Sequence, residues 1–305
     1  MESANEIKNK RRLIFKFWNR EKDLKILKFL AIFFIVSASL IIVKDEIAWQ
    51  LVSSVSDENA PANITESEED NCNVLGIELH GDLLTYIPPT NADTNEENNE
   101  STQDQTASEN IVYAINEAEK DSSIKAIILE VDSYGGYPVA GEEVANALKK
   151  ANKPTIALIR EGGASAAYMA ASGADKIFAS VNSDVGSIAV TMSYLDYVRQ
   201  NQKEGLTYIS LSSGKFKDTG DPNKLLTQEE KNLLIRDVNI IHQNFVKMVS
   251  ENRNLDIEKV KKLADGSTML GEMALQNGLI DQIGGIFEVK EYLKEKIGED
   301  VEICW

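Results

Sequence analysis

The sequence predicts an α/β fold with a largely parallel sheet and a helical final third, preceded by one apolar N-terminal segment. Two runs, "IKAIILEVDS" (Ile124 to Ser133) and "PTIALIREGG" (Pro154 to Gly163), are apolar almost without alternation. That pattern marks strands covered on both faces. Between them "GEEVANALKKA" (Gly141 to Ala151) has helical spacing, and strands alternating with helices make a parallel sheet. In the final third, "TQEEKNLLIRDVNIIHQNFVKMVSENRN" opens with a capping box, Thr227 with Glu230, and keeps an apolar stripe for about seven turns. Such a length suits an oligomer interface or a long brace.

The elements follow in order. The chain has 305 residues and a formal charge of −17, yet residues 1–28 hold nine Lys/Arg against four Asp/Glu, which leaves about −22 for the remainder. An acidic body of this kind excludes nucleic acid as a partner. Next comes "FLAIFFIVSASLIIV", Phe29 to Val43, fifteen residues without a charge between Lys28 and Lys44. Extended by its neighbours to 29–47 it reads as a transmembrane signal anchor. The basic flank puts residues 1–28 in the cytoplasm and everything after about residue 48 on the far side of the cell membrane. Residues 48–72 are acidic and polar, a solvated tether.

A folded domain is expected over 73–305. "NVLGIELHGDLLTYI" (Asn73 to Ile87) alternates like a strand pair, and the polar run Pro89 to Asn110 reads as a mobile loop. Helical spacing resumes at Ile111, and further strands are expected at Asp175 to Ser183 and Leu206 to Ser212. The two cysteines, Cys72 and Cys304, lie at opposite ends of this domain. A disulfide joining the ends, if the domain is outside the cytoplasm, and two unrelated free thiols both fit. No metal-ligand spacing or cofactor motif is present.

Three segments fall at strand ends: "DSYGG" (Asp132 to Gly136), "GGASAAY" (Gly162 to Tyr168) and "VGSIAV" (Val185 to Val190). Each combines Gly with Ser or Ala, so the backbone can approach a ligand and offer paired N–H groups, the requirement of an oxyanion hole. Ser165 at such a corner is either a helix cap or a nucleophile. The segment "SSGKFKDTGDP" (Ser212 to Pro222) tips the balance, because a lysine that burial has stripped of charge replaces histidine as a base. Lys215 is read as a solvated loop charge, and His80 and His242 as structural.

On these residues the chain resembles the membrane-anchored serine-lysine peptidases of the signal peptide peptidase A family. The resemblance runs from about Asn73 to Gly298 and rests on six motifs in order: "DSYGG", "GGASAAYMAASGADKIFAS", "VGSIAV", "SGKFKD", "HQNFVKMVSENRNL" and "ADGSTMLGEMALQNGLIDQIGG". It implies a Clp protease/crotonase-like fold of repeated β-β-α units. It also implies Ser165 as nucleophile, Lys217 as general base, Ser187 as the group that aims the lysine, and the N–H groups of Gly136 and Ala166 as oxyanion hole. The half-length form implies a homo-oligomeric ring with serine and lysine from neighbouring copies, acting on remnant signal peptides and other unfolded or apolar segments at the membrane. Tyr134 stands where the family has proline, and Ala166, Ala167 and Ala189 where glycine is usual. Two other readings share the motifs: an inactive peptide-binding scaffold, and a crotonase-like acyl-CoA enzyme that leaves Lys217 without a task.

Overall fold

The computed structural model describes residues 72–87 and 104–305. The expected cytoplasmic segment, the anchor at 29–47 and almost all of the tether lie outside them. Among the described residues no helix is long and apolar enough to cross a membrane. The elements run β1 (Val74–Leu84), β2 (Gln105–Ala107), α1 (Ser108–Lys120), β3 (Ala126–Gly136), α2 (Pro138–Lys150), β4 (Thr155–Ala164), α3 (Ala166–Ala171), β5 (Lys176–Ala179) and β6 (Asp184–Gly186). They continue with α4 (Val198–Lys203), α5 (Gln228–Arg253), α6 (Ile257–Leu263), β7 (Thr268–Leu270), α7 (Gly271–Asn277), β8 (Gln282–Ile283), α8 (Ile286–Ile297) and β9 (Ile303–Cys304).

The sheet order is β2-β1-β3-β4-β5-β8, with β6 on β4, β7 on β6 and β9 on β1. All of these pairs are parallel except β6 with β7. Alternating side chains explain why the strand cores are apolar throughout. Ile77, Leu79, Ile127, Leu129, Val131 and Ile159 bury against α1, α2 and α5, while Val74, Ile128, Ile156, Leu158 and Phe178 bury against Val289 and Leu293 of α8. Each such side chain contributes about 1.5–3 kcal/mol when fully buried.

Register shifts bend the long strands, between His80 and Asp82 in β1 and between Val131 and Ser133 in β3. Beyond each bend the strand makes a second set of pairs: Asp82 to Leu84 with β2, Ser133 with Gly163, and Gly162 to Ala164 with β6. One bent strand thus does the work of two short ones. This corrects the strand pair expected at Asn73 to Ile87, which is one bent strand.

Two further expectations change. Residues 105–110, expected in the loop from Pro89 to Asn110, form β2 and the start of α1. The Thr106 hydroxyl donates to the His80 carbonyl at 2.7 Å and accepts from the His80 N–H at 3.0 Å, which draws this polar stretch onto β1. Leu206 to Ser212 is no strand. It has the alternation of one but no partner strand among the described residues, and Ile209 and Leu211 stand 75% and 95% exposed.

α5 begins as its capping box requires: the Thr227 hydroxyl accepts the Glu230 N–H and the Glu230 carboxylate accepts the Thr227 N–H. It ends on Asn254 in the left-handed conformation. Only Glu230, Phe245, Val246 and Val249 of its 26 residues are buried, so most of its stripe faces outward. Cys72 and Cys304 form a disulfide, with Cα atoms 5.7 Å apart, beside the β1–β9 pair.

Candidate active site

Ser165 sits between β4 and α3 with φ 53° and ψ −125°. A side-chain-bearing residue avoids that region at a cost of about 1–3 kcal/mol, so the surroundings must enforce it. They do so through the backbone: the Ser165 N–H donates to the Gly186 carbonyl at 2.8 Å, and the Met169 N–H donates to the Ser165 carbonyl at 2.9 Å. α3 itself is wholly buried, and the Tyr168 hydroxyl at its centre donates to the Leu279 carbonyl at 2.8 Å. Burial raises the Tyr168 pKa well above its ordinary value, so the group stays a neutral donor. The corner carrying Ser165 is therefore fixed from both sides.

A cleft of about 310 Å³ opens above it, lined by Gly136, Ser165, Ala166, Met169, Ser187 and Phe245 with Pro138, Ala189, Val190, Thr191 and Gly266. No charged side chain borders it. A larger groove of about 690 Å³ lies between α1 and α2, but none of the expected site residues lines it. The cleft brings together Ser165, Ser187, Gly136 and Ala166. Ser187 shares the unusual backbone of Ser165, with φ 50°. Its hydroxyl donates to the Gly266 carbonyl at 2.9 Å, which leaves the oxygen free to accept a hydrogen bond from an amine.

The Gly135–Gly136 turn closes the cleft on the β3 side. A methyl group on Gly135 would stand 2.8 Å from Ser165 Cβ and 3.2 Å from the Ala166 nitrogen, so only glycine lets this turn lie against the serine. With Tyr134 in place of proline, Ser133 fixes the turn. Its buried hydroxyl accepts the Gly135 N–H at 3.1 Å and donates to the Gly81 carbonyl at 2.5 Å. Sequence reasoning missed Ser133, although it lies inside the quoted "DSYGG". The ring of Tyr134 covers Gly162, and its hydroxyl donates to Asp184 at 3.4 Å. Of the two alanines that replace glycines in α3, Ala166 lines the cleft, whereas Ala167 is fully buried and does not narrow it.

Lys217 is not in this cleft. It lies exposed in the turn between α4 and α5, with its N–H donating to the Gly214 carbonyl at 3.1 Å. Lys215 pairs with Glu229 at 2.6 Å on the surface. The histidines lie elsewhere as well: His80 faces Glu130 at 3.4 Å, and His242 lines a separate groove with Lys247 and Lys261.

The family model described as Peptidase family S49 matches residues 147–300. A Methanocaldococcus jannaschii protein provisionally named a protease is 37% identical over 175 residues, 57% of this chain and 56% of that one. An Enterococcus faecium protein provisionally named signal peptide peptidase SppA is 34% identical over 208 residues, 67% of this chain and 60% of that one. Protease 4 of Haemophilus influenzae is 30% identical over 66% of this chain and 33% of its own length. The chain thus spans between a third and three fifths of these relatives. The family match begins within α2, runs through the Ser165 corner and the Ser187 turn, and ends past α8, over half of the sequence. On that match and on the motifs it contains, the chain belongs to peptidase family S49, and it is similar there to a protein provisionally named signal peptide peptidase SppA.

Proposed function

We propose that this protein is a serine peptidase in which Ser165 is the nucleophile and a neutral Lys217, supplied by a second copy of the chain, is the general base. The observation that carries the reading is the Ser165 corner. A serine in a costly backbone conformation shares one uncharged cleft with Ser187 and with two backbone amides suited to an oxyanion, those of Gly136 and Ala166. Within one copy the base is missing from the cleft, and the segment that carries it exposes Leu195, Leu206, Ile209 and Leu211. An apolar surface of that kind calls for a cover. A neighbouring copy would provide it, and burial at that contact would favour the neutral amine of Lys217.

The chemistry follows. Ser165 Oγ attacks the peptide carbonyl carbon as its proton passes to the Lys217 amine, and the Gly136 and Ala166 N–H groups take the oxyanion. Collapse breaks the C–N bond, and the Lys217 ammonium gives its proton to the leaving amine. Water then attacks the acyl ester, losing a proton to Lys217, and Ser165 leaves with that proton. Ser187, with its own proton engaged by Gly266, accepts a hydrogen bond from the amine and aims it. Ala166, Ala189, Met169, Val190 and Phe245 suit extended peptides with small or apolar side chains, remnant signal peptides and unfolded segments among them. The membrane anchor at 29–47, a ring of copies and an active domain outside the cytoplasm belong to the same proposal.

The exposure of Lys217 is also what an inactive peptide-binding scaffold would have, and a serine-directed fluorophosphonate separates the two. The peptidase reading expects one adduct per chain, mapped by mass spectrometry to Ser165, lost in Ser165→Ala and slowed about 10²–10⁴-fold in Lys217→Ala. A scaffold gives no adduct. Ser133→Ala is expected to lower kcat/KM about tenfold with the fold retained, because the Gly135 N–H and the Gly81 carbonyl lose a partner at about 1–3 kcal/mol each. Steady-state kinetics on a chromogenic peptide check it.

A further inference from the structure

The segment that carries Lys217 has almost no apolar interior of its own: Leu206, Ile209, Leu211 and Leu225 are all exposed. A polar cluster ties it down instead. Lys224 Nζ lies 2.8 Å from Asp218 Oδ1 and 2.5 Å from Glu230 Oε1. Asp218, the residue after Lys217, also accepts the Ser210 hydroxyl at 2.6 Å. Glu230 is 1% exposed and belongs to the capping box of α5. The turn bearing Lys217 is thereby fastened to the first turn of the long helix by one lysine between two carboxylates.

The charges of this cluster bear on the chemistry of its neighbour. A general-base lysine must be neutral, and an unbalanced carboxylate nearby holds it as ammonium. We propose that Lys224 is a positioning residue for the peptidase reaction, fixing the turn of Lys217 and offsetting one of the two carboxylate charges of Asp218 and Glu230, so that the Lys217 amine loses its proton more readily than it would beside both. This rests on the reading of Lys217 as the base. Of the other charged groups in this segment, Lys215 pairs with Glu229, and Asp221 accepts from the Tyr208 hydroxyl and the Asn223 N–H. The Ser165 cleft contributes no charge. Lys224 and Thr227 hold the Glu230 carboxyl down to about 2, Lys224 and Ser210 lower that of Asp218, and the two carboxylates raise Lys224. The cluster therefore stays ionised across the neutral range.

The test is the pH dependence of kcat and KM for the full-length chain in detergent, comparing wild type, Lys224→Met, Lys224→Arg, Lys224→Met with Asp218→Asn, and Lys217→Ala. Uncovering one carboxylate charge beside the base raises its pKa by about one unit. In Lys224→Met the acid limb of kcat therefore moves up by about one pH unit and kcat at pH 7 falls about tenfold, with KM and oligomer size unchanged. Lys224→Arg keeps the wild-type profile, and adding Asp218→Asn moves the limb back. An inactive Lys217→Ala beside an unshifted Lys224→Met profile overturns the proposal alone. A Lys217→Ala as active as wild type overturns the reading of the base and this proposal with it.

Discussion

Gly136→Ala is expected to lower kcat/KM by at least about a hundredfold and to reduce the stability of the domain at the same time. Gly136 has φ 156°, and a methyl group there would stand 2.0 Å from the Leu83 carbonyl oxygen and 2.7 Å from the Leu83 nitrogen. Both obstacles are backbone, so no side chain can turn aside. The Leu83 carbonyl also accepts the Tyr137 N–H at 2.9 Å, at the entrance to α2. Pushing β1 and β3 apart at this point therefore disturbs the start of α2 and displaces the Gly136 N–H from the cleft. Removing one oxyanion donor costs about 10²–10³ in kcat. Steady-state kinetics and guanidinium unfolding of the same preparation read both effects. Full activity in a destabilised Gly136→Ala would remove this N–H from the mechanism.

The double variant Cys72→Ala with Cys304→Ala is expected to lose about 4–5 kcal/mol of stability, because the bridge closes a loop with a sequence separation of 232. The two ends are already joined by backbone bonds, with the Asn73 and Val74 N–H groups both donating to the Glu302 carbonyl at 3.0 Å. Trp305 lies against Gly76 on the same edge, where a methyl group would stand 2.3 Å from the indole. The disulfide makes this zipper persist when the chain opens elsewhere. Denaturant unfolding with and without reductant measures the loss: the wild type should shift to the midpoint of the double variant when reduced, and the variant should not respond. Identical midpoints for all would mean that the thiols are free in the protein.

The legible parts of the fold were those whose signals are local. Continuous apolar runs gave β3 and β4 because both faces are covered, by α1 and α2 on one side and α8 on the other. Thr227 and Glu230 announced the start of α5. The Ser165 corner, the Gly135–Gly136 turn and the Ser187 turn were legible because small residues at strand ends have few other uses. What failed depended on partners distant in sequence. Leu206 to Ser212 alternates like a strand, but alternation makes a strand only beside a partner, and no described strand pairs with this segment. The extent of the 89–110 loop depended on Thr106 finding the backbone of His80. The bend in β1 follows from a register shift at Gly81, which a periodicity of two cannot distinguish from two strands. The spacing of two cysteines carries no geometry, so their pairing waited for the β1–β9 contact.

The central claim is that Ser165 and Lys217 meet between copies of the chain, and mixing two inactive variants tests it most directly. Ser165→Ala and Lys217→Ala are each prepared at full length, dissociated, combined in equal amounts and reassembled, and cleavage of an unfolded apolar peptide is followed. Each variant alone should be inactive, and the mixture should recover a fraction of wild-type activity, because some contacts then join an intact Ser165 to an intact Lys217. Inactive singles and an inactive mixture, with mixed assembly verified by mass, would contradict the shared site.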